Sequence, residues 1–290
     1  MKLAIANRNN QDIYGMVKNS MFFSVKSNVR KQFPTFRTFL EEIDLNQGNQ
    51  PGGAVEVSSA FESIGHPLAT ITLLPPVTKS NKIICVGLNY PKLYNEEATR
   101  KPEHIILFSK FHETIVGAKE PLLLPEGKAK NSLDYEAEVA IIIGKAGFRI
   151  TKETAKKHIL GFTLFNDGSV REWQKHSIDA GKNFYRSGAC GPYVVTKDEI
   201  NSTSQINFKA KLNGKLVQSG NLDEMFFNIN EIIAYVSAIF PLNPGDIIAT
   251  GSPEGTGASQ TPKRFLKEGD VIEISSDILG TLSNKVMKNY

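Results

Sequence analysis

The feature that most constrains the fold is a series of short strand-like segments that starts near residue 83 and runs almost to the end of the chain. Each segment is rich in apolar residues and is bounded by turn-forming residues, a pattern typical of strands in a packed sheet. The predicted strands span residues 83–87, 105–109, 136–143, 162–166, 193–195, 208–212, 246–250 and 271–275. Asn213-Gly214, which follows one of these strands, predicts a tight hairpin because both residues tolerate positive φ.

Helical patterns are few by comparison. A long helix is predicted only around residues 230–240, with shorter ones at 151–158 and 169–176. No internal repeat or low-complexity tract interrupts the series of strands. We therefore predict a β-rich α+β fold with a few helices.

The first part of the chain differs from the rest in composition. It has strand-like pieces at 2–6 and 21–25 and then a loop rich in Asn, Gly and Pro at 45–54. The pair Pro75-Pro76 and the polar residues after it predict an extended connector. With 290 residues the chain exceeds the usual size of one domain. We predict a small N-terminal accessory domain, residues 1–78, and a larger domain, residues 79–290.

Composition excludes several classes of protein. The 34 basic and 30 acidic residues give a net charge of 34 − 30 = +4, and the basic residues are scattered, so a nucleic-acid-binding tract is not expected. Cys85 and Cys190 lie far apart, which argues against a disulfide framework or a zinc-thiolate site. No signal-like segment or apolar run of about 18 residues is present, so we expect no membrane contact and a cytoplasmic location.

Two acidic residues alternate with apolar ones in the segment Asp134-Tyr-Glu-Ala-Glu-Val-Ala-Ile. In a strand, Glu136 and Glu138 share one face and their positions lie roughly 7 Å apart. At an effective dielectric constant of about 20, their charges repel by about 2 kcal/mol. A bound cation would remove this repulsion. An exposed edge strand, with both carboxylates in water, explains the pattern equally well.

A third carboxylate, Asp167, ends the segment Gly161-Phe-Thr-Leu-Phe-Asn-Asp and precedes a predicted helix. This position is typical of a functional site and also of an ordinary helix N-cap. Three carboxylates with no histidine or cysteine nearby predict a hard cation with oxygen ligands, Mg²⁺ or Mn²⁺. Arg171 and Gln174 follow on one helix face, where the planar guanidinium could bind a substrate carboxylate. Alone, these two and Lys182 also fit ordinary surface residues.

Together these segments resemble the fumarylacetoacetate hydrolase superfamily from about residue 82 to residue 286. The resemblance rests on the following segments in order: Val86-Gly-Leu-Asn-Tyr90, Asp134-Tyr-Glu-Ala-Glu138, Gly161 through Gln174, Gly181-Lys182, Gly191-Pro192, Asn213-Gly214, Pro244 through Pro253 and Gly269-Asp270. It implies a mixed β-sheet roll or barrel, which is usually dimeric. It also implies a metal ion held by Glu136, Glu138 and Asp167.

The same resemblance implies a pocket for a small oxo acid that can chelate the metal through two oxygens. The residues that it assigns to substrate are Arg171, Gln174, Tyr90 and Ser252, the last in place of the family's usual threonine, and it assigns Lys182 to catalysis. Family members cleave, decarboxylate, isomerise or hydrate β-dicarbonyl and 2-oxo acids. The expected partners are therefore a small-molecule substrate and a second copy of the chain in a homodimer.

One departure from the family pattern bears on the reaction. Family hydrolases have a histidine and a glutamate after the Asn-Tyr pair to activate water, whereas this chain has Leu93 and Glu96 there. A one-residue slip would place Tyr94 and Glu97 instead. Neither leucine nor a tyrosine with a pKa near 10 is a good base at neutral pH. His112 is the nearest substitute, although such a histidine is commonly a surface residue.

Three hypotheses on function follow. The first is metal-dependent cleavage of a C–C bond, by hydrolysis or decarboxylation, in a β-dicarbonyl or 2-oxo acid. The second is an isomerase or hydratase of 2-oxo-dienoate acids. The third is a catalytically weak relative that binds a metabolite, which the leucine at position 93 suggests and the three retained acids argue against.

Overall fold

The computed structural model describes residues 1–42, 59–77, 79, 81–91, 93–94, 97–98 and 100–288, and of 93–94 and 97–98 only the backbone. The predicted loop at 45–54 therefore lies outside the described residues. The strands are β1 (Lys2–Arg8), β2 (Gln11–Lys18), β3 (Met21–Ser24), β4 (His66–Pro67), β5 (Thr72–Leu74), β6 (Ile83–Gly87), β7 (Leu93–Tyr94), β8 (Glu97–Ala98), β9 (Ile106–Lys110), β10 (Ile115–Val116), β11 (Leu122–Leu124), β12 (Leu133–Asp134), β13 (Ala137–Ile143), β14 (Ile159–Asn166), β15 (Ser169–Val170), β16 (Gly188–Thr196), β17 (Asn207–Leu212), β18 (Lys215–Asn221), β19 (Ile247–Ala249), β20 (Val271–Ser276) and β21 (Gly280–Lys288). The helices are α1 (Ser27–Gln32), α2 (Phe36–Glu42), α3 (Arg171–Gln174), α4 (Ile178–Lys182) and α5 (Ile229–Ile239).

A large mixed sheet forms the centre of the protein. Its strands follow the order β4-β3-β2-β1-β16-β14-β13-β19-β6-β9, with β5 attached to β1 and β10 attached to β16. Most neighbours are antiparallel, but β19 runs parallel to β6 and β10 runs parallel to β16. Among the described residues the order is linear and its two ends do not pair. The β-rich prediction is confirmed, and its form is a roll rather than a closed barrel.

A second, five-stranded sheet packs against the central one. Its order is β11-β21-β20-β17-β18, and its apolar face shares one hydrophobic core with β13 and β14. The predicted turn at Asn213-Gly214 joins β17 to β18, with both residues at positive φ. Helix α5, the long helix expected at 230–240, starts with a capping box between Asn228 and Glu231 and buries one apolar face in the same core.

The N-terminal strands extend the central sheet instead of standing apart from it. Strand β1, in the predicted N-terminal domain, pairs with β16, in the predicted larger domain. Their aromatic core, which includes Tyr14, Phe36, Phe39 and Phe61, belongs to the same apolar cluster as Cys85 and Ile142 of the central sheet. The division at residue 78 stays a prediction, but the strands on either side of it share one sheet.

Strand β13 is fully enclosed and carries the acidic pattern into the interior. All seven of its residues are buried, since β14 and β19 flank it on either side. Ala137, Val139 and Ile141 face one apolar cluster, while Ala140 and Ile142 face the other. By the period of two, Glu138 shares the face of Ala140 and Ile142. One face of this strand therefore changes from acidic to apolar along its length.

Two of the predicted helices are shorter than expected. At 151–158 only the turn Ala155–His158 is helical, of the tighter 3₁₀ type. At 169–176 the residues of β15 pair with β12, so the helix is confined to Arg171–Gln174. Pairing with a distant strand overrides the local preference of these residues. Among the described helices none is both long and apolar enough to span a membrane.

Candidate active site

Three carboxylates from two adjacent strands meet inside the protein. Glu136, Glu138 and Asp167 each bring one carboxylate oxygen within 4.8 Å of the others, and all three residues are buried. Glu136 immediately precedes β13, Glu138 lies in it, and Asp167 follows β14. The alternative of an exposed edge strand is wrong, because β13 has a hydrogen-bonded strand on each side.

The turn after β14 brings Asp167 beside β13. The N–H of Asp167 donates to the carbonyl oxygen of Glu136 at 2.9 Å, which extends the strand pairing by one step. Gly168 follows, and a Cβ at this position would lie 1.8 Å from the carbonyl oxygen of Ser187. Only glycine permits this close approach. The N-cap of α3 is Val170, so the alternative role of Asp167 as a helix cap is wrong.

Two buried lysines face the carboxylates. Lys182, at the end of α4, donates from Nζ to Glu136 Oε2 and, at 2.5 Å, to Asp167 Oδ2. Lys110, at the end of β9, lies 3.0 Å from Asp167 Oδ1 and donates to the carbonyl oxygens of Gly168 and Lys182. Burial alone would lower the pKa of Lys182, but the charges of Asp167 and Glu136 outweigh it and hold the pKa above its ordinary value. Lys182 therefore stays protonated and supplies a positive charge to the site instead of accepting a proton.

Arg171 links the cluster to a fourth buried carboxylate, Asp134. Its Nε donates to Asp134 Oδ2 at 2.8 Å, and its Nη2 lies 2.8 Å from the same oxygen and 2.7 Å from Glu136 Oε1. Its Nη1 donates to Gln174 Oε1 at 3.1 Å. Burial raises the pKa of Asp134, and the charge of Arg171 offsets part of this increase. The guanidinium plane thus faces two carboxylates of the protein itself.

The loop after β19 is fastened to the acidic strand. The N–H of Gly251 donates to Glu138 Oε2 at 2.9 Å. Ser252 is buried, and its Oγ accepts a hydrogen bond from Gln218 Nε2 at 2.9 Å. Gln218 Oε1 in turn accepts from the N–H of Ala137 at 3.0 Å. These hydrogen bonds fix Ser252, which directly follows Gly251, the residue that contacts Glu138.

Negative charge exceeds positive charge in this cluster. Its described members are the acids Asp134, Glu136, Glu138 and Asp167 and the bases Lys110, Arg171 and Lys182, so the balance is 3 − 4 = −1. Burial, followed by the charges of Asp167 and Glu136, raises the pKa of Glu138 well above its ordinary value. A buried excess of negative charge is costly unless a cation compensates it.

The donor set fits Mg²⁺ or Mn²⁺. At a metal–oxygen distance of about 2.1 Å, neighbouring ligand oxygens are about 3 Å apart and opposite ones about 4.2 Å apart, so the 4.8 Å spread closes with small side-chain movements. Burial, then the charges of Asp167 and Glu138, raise the pKa of the Cys85 thiol well above its ordinary value. This thiol is not part of the converging group, so all the converging ligands are oxygens.

Tyr90 and Gln174 lie at the edges of the cluster. Tyr90 is buried beside Phe208, and burial, with the charge of Glu138, raises the pKa of its hydroxyl. Gln174 is half-buried at the end of α3 and is tied to the cluster through Arg171. Their assignment to the substrate stays a prediction.

Of the two predicted proton acceptors, Glu96 and His112, the structure describes only His112. His112 lies half-buried in a short helical turn after β9, and the contacts described for the cluster do not include it. Lys110, two residues earlier, reaches Asp167 instead. Glu96 lies outside the described residues, and for Leu93 only the backbone is described. The roles given to Glu96 and His112 stay predictions.

Sequence reasoning missed three members of the site. They are Lys110, which contacts Asp167, Asp134, which contacts Arg171, and Gln218, which contacts Ala137. In each pair the two residues are distant in sequence. Asp134 had a visible signal, since it directly precedes the alternating acids. Lys110 ends a strand on an otherwise apolar segment, where a lysine has no reason to be buried without an anionic partner.

Comparison with known proteins gives one consistent result. Residues 82–287 match the family model described as fumarylacetoacetate (FAA) hydrolase C-terminal. The chain is 40% identical over 235 residues to oxaloacetate tautomerase fahd2, mitochondrial, of Xenopus laevis, which covers 79% of this chain and 73% of that protein.

Two solved structures cover the whole chain and are matched over their full length. A fumarylacetoacetate hydrolase from Exiguobacterium antarcticum has 29% identity and a TM-score of 0.81. Maleylpyruvate hydrolase from Sphingobium sp. SYK-6, in complex with manganese(II) ion and pyruvate, has 25% identity and a TM-score of 0.76.

Proposed function

The chain belongs to the fumarylacetoacetate hydrolase family, and we propose that it is a metal-dependent enzyme that interconverts the keto and enol forms of a small 2-oxo dicarboxylic acid. The observation that carries the proposal is the buried group of Glu136, Glu138 and Asp167 with Lys182 against it. The named relative, an oxaloacetate tautomerase, supports this substrate class. This relative favours isomerisation, the second hypothesis from the sequence, over C–C cleavage, the first.

The three carboxylates would hold the cation, which is Mg²⁺ or Mn²⁺ in this proposal. When bound, such an ion polarises the 2-oxo group and favours negative charge on its oxygen. The similar maleylpyruvate hydrolase with manganese and pyruvate supports both the kind of metal and a 2-oxo acid beside it. The three carboxylates of this chain are by themselves a ligand set that suits such a metal.

Lys182 supplies fixed positive charge where the substrate gains negative charge. An ammonium has three N–H donors, and two of those of Lys182 are used by Glu136 and Asp167. The third has no described hydrogen-bond acceptor, and in this proposal it donates to an oxygen of the substrate. The ring of Phe108 lies against the same ammonium, 4.9 Å from Nζ. A donor held in place in a buried site stabilises developing charge without reorganisation.

The residues that contact the acidic strand define the rest of the pocket. Gln174 accepts from Arg171 through Oε1, so its amide NH₂ is the end that can donate to a substrate carboxylate. Ser252 directly follows Gly251, whose N–H donates to Glu138, and its hydroxyl is held by Gln218. In this proposal Tyr90 closes the apolar wall, and two copies of the chain form a homodimer.

Keto–enol conversion consumes no water as a nucleophile, which agrees with Leu93 in the place of the family's histidine. The C–H bond next to the 2-oxo group breaks, its proton passes to solvent, and a proton from solvent adds to the enolate oxygen. The test is incubation of the Mg²⁺-loaded protein with oxaloacetate, an acylpyruvate and a 2-oxo-dienoate, with products followed by NMR. We expect keto–enol exchange of oxaloacetate to be accelerated most. Rapid hydrolysis of the acylpyruvate that is lost on His112→Ala would contradict the proposal and identify a hydrolase.

Cleavage of a C–C bond is the second candidate. The similarity to a maleylpyruvate hydrolase favours it, because the two proteins share the fold over their whole length. The same NMR experiment separates the candidates, since decarboxylation of oxaloacetate releases pyruvate and tautomerisation does not. Leu93→His should raise hydrolysis more than tautomerisation, because general-base catalysis is worth about 10²- to 10⁴-fold.

A further inference from the structure

Asp134 accepts more hydrogen bonds than any family role assigned above explains. Its side chain is fully buried. One oxygen accepts from the backbone N–H groups of Tyr135 at 3.0 Å and Gly257 at 2.7 Å, and the other accepts from the N–H of Ala258 at 3.0 Å. Arg171 contacts this second oxygen with Nε and Nη2. The hydrogen bonds described for Asp134 do not reach Glu138 or Asp167.

Arg171 is the link between Asp134 and that place. Its Nη2 lies between Asp134 Oδ2 and Glu136 Oε1, at 2.8 and 2.7 Å, while Nη1 orients Gln174. The guanidinium therefore shares its charge between one carboxylate that binds the metal in the proposed function and one that does not. Glu136, whose other oxygen contacts Lys182, therefore receives only part of the charge of Arg171.

The loop that carries Ser252 is held at two points, by Glu138 of β13 and by Asp134 of β12. Gly251, at its start, donates to Glu138, and Gly257, near its end, donates to Asp134. A Cβ at position 257 would lie 2.6 Å from Asp134 Oδ1, so the backbone approaches the carboxylate as closely as it can. The carboxylate of Asp134 thus holds both the loop and Arg171.

We propose that Asp134 is a positioning residue, which takes a share of the charge of Arg171 so that Glu136 keeps its capacity to bind the metal, and which keeps the loop of Ser252 in register. The inference rests on the metal-dependent function proposed above. With a neutral side chain at position 134, Arg171 keeps Glu136 as its only anionic partner among these residues. The arginine then competes with the metal for Glu136.

The test is the affinity of the whole protein for Mn²⁺, measured by titration calorimetry, which requires no turnover. We expect Asp134→Asn to weaken Mn²⁺ binding about 10- to 100-fold, the usual effect of removing a partner of a metal ligand. In the R171M background the same substitution should change the affinity by less than about threefold, because Asp134 then has no arginine to hold. Equal losses in both backgrounds would overturn the proposal.

The matched control is Asp246→Asn. Asp246 is also fully buried and bound to one cation and to backbone N–H groups, but it lies at the other end of β19. We expect it to lower stability and to leave Mn²⁺ affinity unchanged. A D134N protein that loses stability as D246N does and binds Mn²⁺ normally would show a purely structural role and overturn the inference.

A second variant covers the case in which D134N does not fold. Asp134→Glu keeps the charge but displaces the carboxylate by about one C–C bond, ~1.5 Å, from the place where it meets Arg171 and the N–H groups of Gly257 and Ala258. We expect a folded protein with weakened Mn²⁺ binding, and a folded D134E with unchanged affinity would contradict the proposal. Normal Mn²⁺ binding without keto–enol activity would refute the proposed function but leave this comparison intact.

Discussion

Two buried ionic sites lie at opposite ends of the strand pair β13 and β19, and they are built differently. At one end Asp246 pairs with Lys82, whose Nζ lies 2.6 Å from Oδ2. It also accepts hydrogen bonds from the backbone N–H groups of Lys82 and Asn243 and from the side-chain amide of Asn81. At the other end four acids face three bases, and like charges crowd around Glu138. The first site balances its charge within the protein, as a structural site does. The second has a formal excess of one negative charge, which a bound cation, or a proton on Glu138 when no cation is bound, removes. Such an arrangement is typical of a functional site.

The largest expected effect comes from removing one of the converging acids. Glu138→Gln should weaken Mn²⁺ binding by at least about 100-fold and abolish keto–enol exchange. Because the pKa of Glu138 is raised in the folded protein, its ionised form costs stability, so the variant should melt at the same temperature or higher. Calorimetry, NMR and thermal melts measure the three quantities. A variant that binds Mn²⁺ normally would remove the distinction between the two sites.

Metal addition should stabilise the protein through the acidic site alone. A ligand at 100 times its dissociation constant adds about 2.7 kcal/mol to the free energy of unfolding. We expect the melting temperature with Mg²⁺ to exceed that with EDTA by several degrees. The D246N protein should show the same increase and the E138Q protein none. Identical melting temperatures of the unmodified protein across a Mg²⁺ titration would exclude a specific site.

Asp246→Asn should act on stability and not on chemistry. It leaves Lys82 without its anionic partner, and because Lys82 is one-third exposed, water replaces part of that interaction. We expect a loss of about 2 kcal/mol in the free energy of unfolding, less than for a fully buried pair. Urea denaturation measures it. Loss of keto–enol activity in a folded D246N protein would show that the two ends of the strands are coupled.

The smallest effect is expected at a third, more exposed pair, Asp270 with Arg264. Burial alone would raise the pKa of Asp270, but hydrogen bonds from Arg264 and Asn213 outweigh it and lower the pKa below its ordinary value. A lowered pKa stabilises the fold above the unfolded value near 4, and this contribution is lost as pH falls through the folded value. Asp270→Asn should therefore cost about 0.5 kcal/mol at pH 7. Thermal melts should show the difference disappearing on acidification below pH ~4, whereas a difference that grows with acid would reverse the assignment.

The acidic strand could be predicted from the sequence because its information is local. The alternation of Glu136 and Glu138 with small apolar residues fixes which side chains share a face, whatever the rest of the chain does. The strand at 83–87 was predicted with its observed ends for the same reason. The family resemblance supplied the order of the segments and the place of Asp167.

The surroundings of that strand could not be predicted, because they depend on contacts between distant residues. Lys182 looks like a surface lysine until α4 packs beside β9, and Lys110 reaches a carbonyl 72 positions away. Asp134 meets Gly257 across 123 positions. Local propensity also failed at 151–158, where one 3₁₀ turn replaces the predicted helix. The burial that turns an acidic pattern into a site is a property of the assembled sheets.

The pairing of β1 with both β5 and β16 has a consequence for the time course of synthesis. Lys2 pairs with Val195, so about two thirds of the chain must be made before this contact can form. At about 5–20 residues per second, the edge of β1 would wait roughly 10 to 40 s and could pair with another nascent chain. Strand β5 covers Ile5–Asn7 of that edge long before β16 exists. Only the first residues of β1 then stay uncovered on the ribosome, too short a stretch to template a wrong sheet.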